Sequence, residues 1–169
     1  VPQSRQRMIF IGVREDLDIE PSHPVAMSSP VTVQDAWIGG VPICSIEMPP
    51  VTGKTFEALV KCKPGQSIAD VLGRSFSARR VSMDENAPTI IKTLPFHRYP
   101  GMFHPFENRG ITIAEVKRLA SFPDQFQMAG KYGEAWARIG NSVPPLFMRA
   151  IAEHIRAHIL TPALIEAGT

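Results

Sequence analysis

The chain of 169 residues is 44% hydrophobic and 20% charged with a formal net charge of +2, which supports one ordinary domain or two small ones and excludes a polycation. Sixteen prolines break it too often for a long helical bundle. Cys44 and Cys62 have neither CxxC spacing nor companion histidines, so neither a zinc site nor a disulfide framework is expected and no metal is assigned. With no apolar run long enough to cross a bilayer and no signal sequence, the expectation is a cytoplasmic protein with no membrane partner.

In chain order, Gln3, Arg5 and Arg7 stand at i, i+2 and i+4 and project from one face of an extended chain. The run 8–13, MIFIGV, is apolar at both parities, the pattern of a central strand covered on both faces by helices. Residues 14–30 are acidic and then rich in Pro and Ser, and read as a linker. A short helix is expected after Thr32, stopped by Gly39-Gly40, with further helices over 55–61 and 67–72, the latter capped by Ser67, and a short strand over 89–92. Thr112 and Glu115 have the spacing of a capping box for a helix that runs through Val116 and Leu119 and stops before Phe122-Pro123. Asn141 and Ser142 are expected to satisfy the first amides of a last helix, with Pro144 and Pro145 in its first turn. Phe147, Ile151, Ile155 and Ile159 form its core stripe, and Arg149 and Glu153 can pair on its outer face.

Three chemical signals fail on inspection. TGKT at 52–55 ends like a phosphate-binding loop, but the glycine required five residues before Gly53 is Met48. His154 and His158 lie one helical turn apart without a third ligand, and Cys44 has no base beside it. Between Lys54 and Arg98 the basic residues outnumber the acids, which suits a polyanionic partner as well as it suits a solvated face.

Three ordered stretches carry more. PQSRQR before the apolar strand, then HPFENRGITIAEVKRLASFPDQF, then IGNSVPP before a helix resemble the last blocks of the DNA (cytosine-5) methyltransferases. DENAPTIIKT at 84–93 is also similar to a segment that many members carry. Ala114 and Ala120 depart from the arginine and glutamine common at those positions. The resemblance implies an α/β fold: the last part of a Rossmann-like S-adenosylmethionine-dependent methyltransferase domain, interrupted by a small mixed α+β target-recognition domain. It implies the boundaries 1–14 for a catalytic-domain strand, 15–108 for the recognition domain, 109–128 for a scaffold helix linking the two, and 129–169 for the return to the catalytic domain.

The resemblance further implies double-stranded DNA as partner and S-adenosyl-L-methionine as cofactor, most of whose pocket lies outside this chain. Arg7 would donate to the oxygen of a flipped cytosine, Arg5 would grip a backbone phosphate, and Gln3 would support them. Asn141 and Ser142 would border the cofactor, Arg109, Thr112, Glu115 and Arg118 would be scaffold, and Arg79, Arg80, Lys92, His97 and Arg98 would touch DNA. The family's Pro-Cys nucleophile and glycine-rich loop belong before the arginine block, and the chain has no initiator methionine. The expectation is therefore a fragment or processed piece, inactive alone, that works with an amino-terminal catalytic part from the same gene or a separate subunit. A homodimer through exposed apolar surface is the expected fate of the isolated piece. The alternatives are the recognition subunit of a split methyltransferase, a stand-alone DNA-binding module, or the remnant of a decayed gene.

Overall fold

Two reciprocal capping boxes set the helical frame in the computed structural model, which describes residues 1–73, 78–93 and 101–167. Thr32 Oγ1 accepts from the Asp35 amide at 3.1 Å while the Asp35 carboxylate accepts from the Thr32 amide at 2.8 Å, starting α1 (Val33–Trp37). Thr112 and Glu115 repeat the device at 3.1 and 2.7 Å and start α4 (Ile113–Leu119). Between them lie α2 (Gly53–Lys61), α3 (Ile68–Leu72), β1 (Arg79–Arg80) and β2 (Met102–Phe103). After α4 come α5 (Tyr132–Asn141), α6 (Pro145–Ile155), a π-helical turn over Arg156–Leu160, and α7 (Thr161–Ala167). The Ser67 hydroxyl caps α3 through the Ala69 amide, as expected.

The short parallel pair β1–β2, with Arg79 opposite Met102 and Arg80 opposite Phe103, divides two cores. Side chains alternate across a strand, so Met102 joins the larger cluster formed by α1, α4 and α5 around Val33, Val116, Leu119, Trp136 and Ile139. Phe103 turns the other way, into a smaller cluster with Leu59, Ile68 and Ala78.

Three expectations are corrected. Over 8–13 no strand forms among the described residues: the only ladder contact of the first block is a parallel bridge from Gln3 to Ala87, and Met8 and Phe10 stand 81% and 85% exposed. A central strand needs neighbours on both edges, and β1 and β2 pair with each other instead. Residues 89–92 likewise form no strand. Asn141 and Ser142 do not cap α6: Asn141 is the last residue of α5, and Ser142 closes that helix by donating from Oγ to the Ile139 carbonyl at 2.6 Å. The hydroxyl that accepts from the α6 backbone, at the Leu146 amide 3.1 Å away, belongs to Ser121. Ser121 sits in the left-handed region at φ 61° just past the end of α4, so the turn that stops one helix starts another. Of the expected stripe on α6, Ile151 and Ile159 are buried, Ile155 is half-buried and Phe147 is exposed. Arg149 and Glu153 pair at 2.7 Å.

Candidate functional site

A strap formed by residues 87–92 is the floor on which the site is assembled. The first block grips it from one side: the Ser4 amide donates to the Ala87 carbonyl at 2.8 Å, the Ala87 amide to the Pro2 carbonyl at 3.0 Å, and the Ile90 amide to Gln3 Oε1 at 3.3 Å. Helix α5 grips it from the other, through Trp136 Nε1 donating to the Ile91 carbonyl at 2.9 Å. Gly140 lies so close to the strap that a Cβ there would fall 2.6 Å from the Ile91 carbonyl oxygen. Across this junction Arg5 Nη1 donates both to the Ile90 carbonyl at 3.0 Å and to the Gly140 carbonyl at 2.8 Å. Burial, and then the charge of Arg7, lower the Arg5 pKa from its ordinary value.

The result is a cleft of about 220 Å³ lined by Arg5, Arg7, Asn141, Ser142, Val143 and Phe147, among others. Residues expected in the site from opposite ends of the sequence thus face one space. Arg7 is exposed and its Nη1 donates to the carbonyl of its neighbour Gln6. Gln3 is buried and acts on the strap. Arg5, expected to grip a phosphate, has its Nη1 occupied by two backbone carbonyls.

An ion-pair network, none of whose members lines the cleft, ties the loop before α4 to that helix. Arg109 donates to both oxygens of the buried Glu115, at 2.8 Å each, and to Glu107 at 2.8 Å, a two-pronged geometry that fixes the planar guanidinium. Burial pushes the Glu115 carboxyl up, but Arg109 and the Thr112 amide outweigh it and hold the group below its ordinary range. His104 stacks on Trp37 with ring centroids 5.6 Å apart. Burial first, and then Arg109, hold the imidazole below its ordinary value of 6.5, so it is neutral at pH 7. Its Nδ1 accepts from the amides of Phe106 and Glu107, which leaves the ring proton on Nε2, 3.8 Å from Glu115. Arg118 completes the frame by binding Asp124 through two nitrogens and the Ile38 carbonyl through the third.

Of the residues expected to touch DNA, Arg79 and Lys92 are exposed, whereas His97 and Arg98 lie outside the described residues. Arg80 is a correction. It is 3% exposed, its Nη1 donates to the carbonyls of His104, Pro105 and Glu107, and its Nη2 donates to the Leu59 carbonyl and Asn108 Oδ1. Sealed in that cage, it ties α2 to the loop before α4 and has no face left for a phosphate. Alternation along β1 sends Arg79 out and Arg80 in, a distinction invisible in a run of two arginines. The strap's two clamps on α5, Trp136 and Gly140, were also missed by sequence reasoning. Their signal was the unassigned apolar spacing of Tyr132, Ala135, Trp136 and Ile139. His154 and His158 approach each other with ring centroids 4.5 Å apart, and no cluster of three metal-ligating residues occurs among the described residues.

The fold is shared with a solved structure. A crystal structure described as a DNA modification methyltransferase encoded within a prophage of E. coli matches 87% of this chain and 53% of its own, with a TM-score of 0.55 at 21% identity. The family model of the C-5 cytosine-specific DNA methylases matches residues 47–157, and the chain belongs to that family. Among similar proteins are the type II methyltransferases M.PspPI of Psychrobacter sp. (strain TA137), 30% identical over 92% of this chain and 42% of the relative, and M.Sau96I of Staphylococcus aureus, 31% identical over 85% and 37%. M1.HphI of Haemophilus parahaemolyticus is 32% identical over 92% and 44%. The chain therefore spans about two fifths of the length of these relatives. Among the described residues no helix is long and apolar enough to cross a membrane.

Proposed function

We propose that this chain is the carboxy-terminal, DNA-recognising part of a DNA (cytosine-5) methyltransferase that methylates carbon 5 of a flipped cytosine. The observation that carries the reading is that Arg5, Arg7, Asn141 and Ser142, from two distant blocks, border one cleft. In this chemistry a thiolate adds to carbon 6 of the base, which makes carbon 5 nucleophilic. A stacked base is out of reach, so it is everted at a cost on the order of a few kcal/mol, offset by contacts to the extruded nucleotide. Arg7 is the donor to the cytosine oxygen, since an exposed guanidinium stays charged and donates in fixed directions. Gln3 and Arg5 hold the floor beneath it, and Arg79 and Lys92, with His97 and Arg98, are the DNA contacts of the recognition region. S-adenosylmethionine, when bound, supplies the methyl group. The amide of Asn141 and the hydroxyl of Ser142 fit its amino-acid end, and a cleft of 220 Å³ takes only one edge of such a molecule.

Neither cysteine suits the nucleophile. Cys44 packs against the larger core; Cys62 is buried, its Sγ donates to the Gln66 carbonyl at 3.3 Å, and burial pushes its thiol up. The thiolate therefore comes from an amino-terminal catalytic part, in the same polypeptide or as a separate subunit. Met8 and Phe10 of the first block stand exposed, as do Leu146 and Met148 on α6, and such a part would cover apolar side chains of this kind. That exposed surface also weighs against a stand-alone DNA-binding module. The test is transfer of labelled methyl from S-adenosylmethionine to unmethylated duplex DNA. The chain alone is expected to give no product, and addition of the catalytic part to give 5-methylcytosine that Arg7→Ala abolishes. Product from the chain alone, or full activity of Arg7→Ala, would overturn the reading.

A further inference from the structure

Among the described residues, Arg5 is the one side chain that bonds both the strap and the residue just before the Asn141–Ser142 turn, and it does so with a single nitrogen. Nη1 reaches the Ile90 carbonyl at 3.0 Å and the Gly140 carbonyl at 2.8 Å only when the two segments are in register. That register is tight, because Gly140 meets the Ile91 and Lys92 backbone with no room for a Cβ. The strap belongs to the recognition region and leads to the exposed Lys92. The turn borders the cleft where the cofactor's amino-acid end would lie. From this geometry we infer that Arg5 is a positioning residue that couples DNA engagement by the recognition region to cofactor affinity at the Asn141–Ser142 turn. The inference rests on the proposed methyltransferase reading.

The physical argument is one of shared ordering. DNA that seats Lys92 restricts the strap and fixes the Ile90 carbonyl, and that in turn fixes the guanidinium. A fixed guanidinium holds the Gly140 carbonyl and so the turn, which the cofactor then no longer has to order itself. Linkage requires the effect to be reciprocal: whatever factor DNA adds to cofactor affinity, the cofactor adds to DNA affinity. Trp136 and Gln3 clamp the same strap, but neither bonds to the turn. Gly140 packs on the strap's backbone, but among the described residues the hydrogen bonds that tie strap and turn together are those of Arg5, and these are the bonds that carry the coupling.

The experiment uses the complete enzyme, with S-adenosylhomocysteine as an unreactive probe and a long unmethylated duplex that contains every short target sequence. Titration calorimetry gives the Kd of the probe with and without DNA, and their ratio is the coupling. In the wild type the ratio is expected to be at least about fivefold, the lower end of ordinary coupling. It should fall to within about twofold of unity in Arg5→Ala and stay at the wild-type value in Arg14→Ala, which removes a cation of the same segment paired only to Asp16. A merely structural loss would weaken both affinities and leave their ratio unchanged. Arg5→Lys, which keeps the charge should Arg5→Ala not fold, is expected to lower the ratio because an ammonium lacks the planar fork. Hydrogen exchange should report faster exchange at the Ala87 and Ile90 amides of either variant. A wild type that binds both ligands with a ratio of one, or an Arg5 variant that keeps the wild-type ratio, overturns this inference and leaves the methyltransferase reading in place. A wild type that binds neither ligand overturns both.

Discussion

Gly140→Ala tests the junction on which the cleft rests, because two effects of known sign oppose each other there. Within a helix, replacing Gly by Ala ordinarily stabilises by about 1 kcal/mol. At Gly140 the new Cβ would lie 2.6 Å from the Ile91 carbonyl oxygen, 2.7 Å from its carbon and 2.7 Å from the Lys92 nitrogen. These are backbone atoms, and Trp136 and Gln3 hold the strap that carries them, so the clash cannot be relieved by turning a side chain. Overpacking of this kind costs about 1–3 kcal/mol, and loss of the Arg5 bond to the Gly140 carbonyl adds about 1.5 kcal/mol or more. The expected net effect is a destabilisation of about 2 kcal/mol, or a fall in Tm of about 4–8 °C for a chain of this size. Calorimetry and urea unfolding would measure it, with Ala137→Gly on the same helix supplying the propensity effect alone. A Gly140→Ala protein as stable as the wild type would refute the docking of the strap on α5.

Three further outcomes follow from the scaffold and the recognition region. Glu115→Gln preserves shape but removes the buried charge that Arg109 grips through two nitrogens; urea unfolding should register a loss of about 3 kcal/mol. The folded-state pKa of His104 is lowered below 6.5, so the unfolded chain takes up the proton first. The contribution of His104 is then intact above pH 6.5 and declines as the pH falls below it. His104→Asn, which keeps an acceptor near the Nδ1 position, should flatten the stability profile between pH 6.5 and 4.5, while the Glu115 contribution is lost only below its ordinary 4.5; an unchanged profile would count against a neutral buried ring. Arg79→Ala should weaken duplex binding and reduce the slope of log affinity against log salt by about 0.9, whereas Arg80→Ala should show itself first as lost stability. Anisotropy titrations at several salt concentrations, alongside thermal melts, separate the two.

What could be read beforehand was what is encoded locally. Thr32, Ser67 and Thr112 announce their helices because a cap acts within three residues of itself. Arg109 and Glu115 were singled out by the resemblance, and the structure pairs them, as a buried carboxylate requires. The run 8–13 misled because an apolar pattern states what a segment needs and not whether its neighbours are there. Helix α5 escaped because Gly133 and Gly140 lie within it and Gly130 stands just before it, and glycine ordinarily argues against a helix. Gly140 is there for the opposite reason: it admits the strap's backbone at a distance that excludes a side chain.

The exchange of helix caps bears directly on the cleft. Had Asn141 and Ser142 capped α6, their polar atoms would have been spent on its first amides. Ser121 takes that work, reaching the Leu146 amide from the end of α4, at the cost of a left-handed backbone that a non-glycine residue adopts only where its surroundings hold it. Ser142 turns back onto the Ile139 carbonyl, and Asn141 is left exposed at the cleft. A cap supplied from a distance thus frees the turn for a ligand. The same Ser121 also fixes where α6 begins relative to α4, and so where Val143 and Phe147 meet the cleft wall. Ser121→Ala should accordingly cost about 1 kcal/mol of stability and weaken cofactor binding in the complete enzyme, although Ser121 is not among the residues that line the cleft.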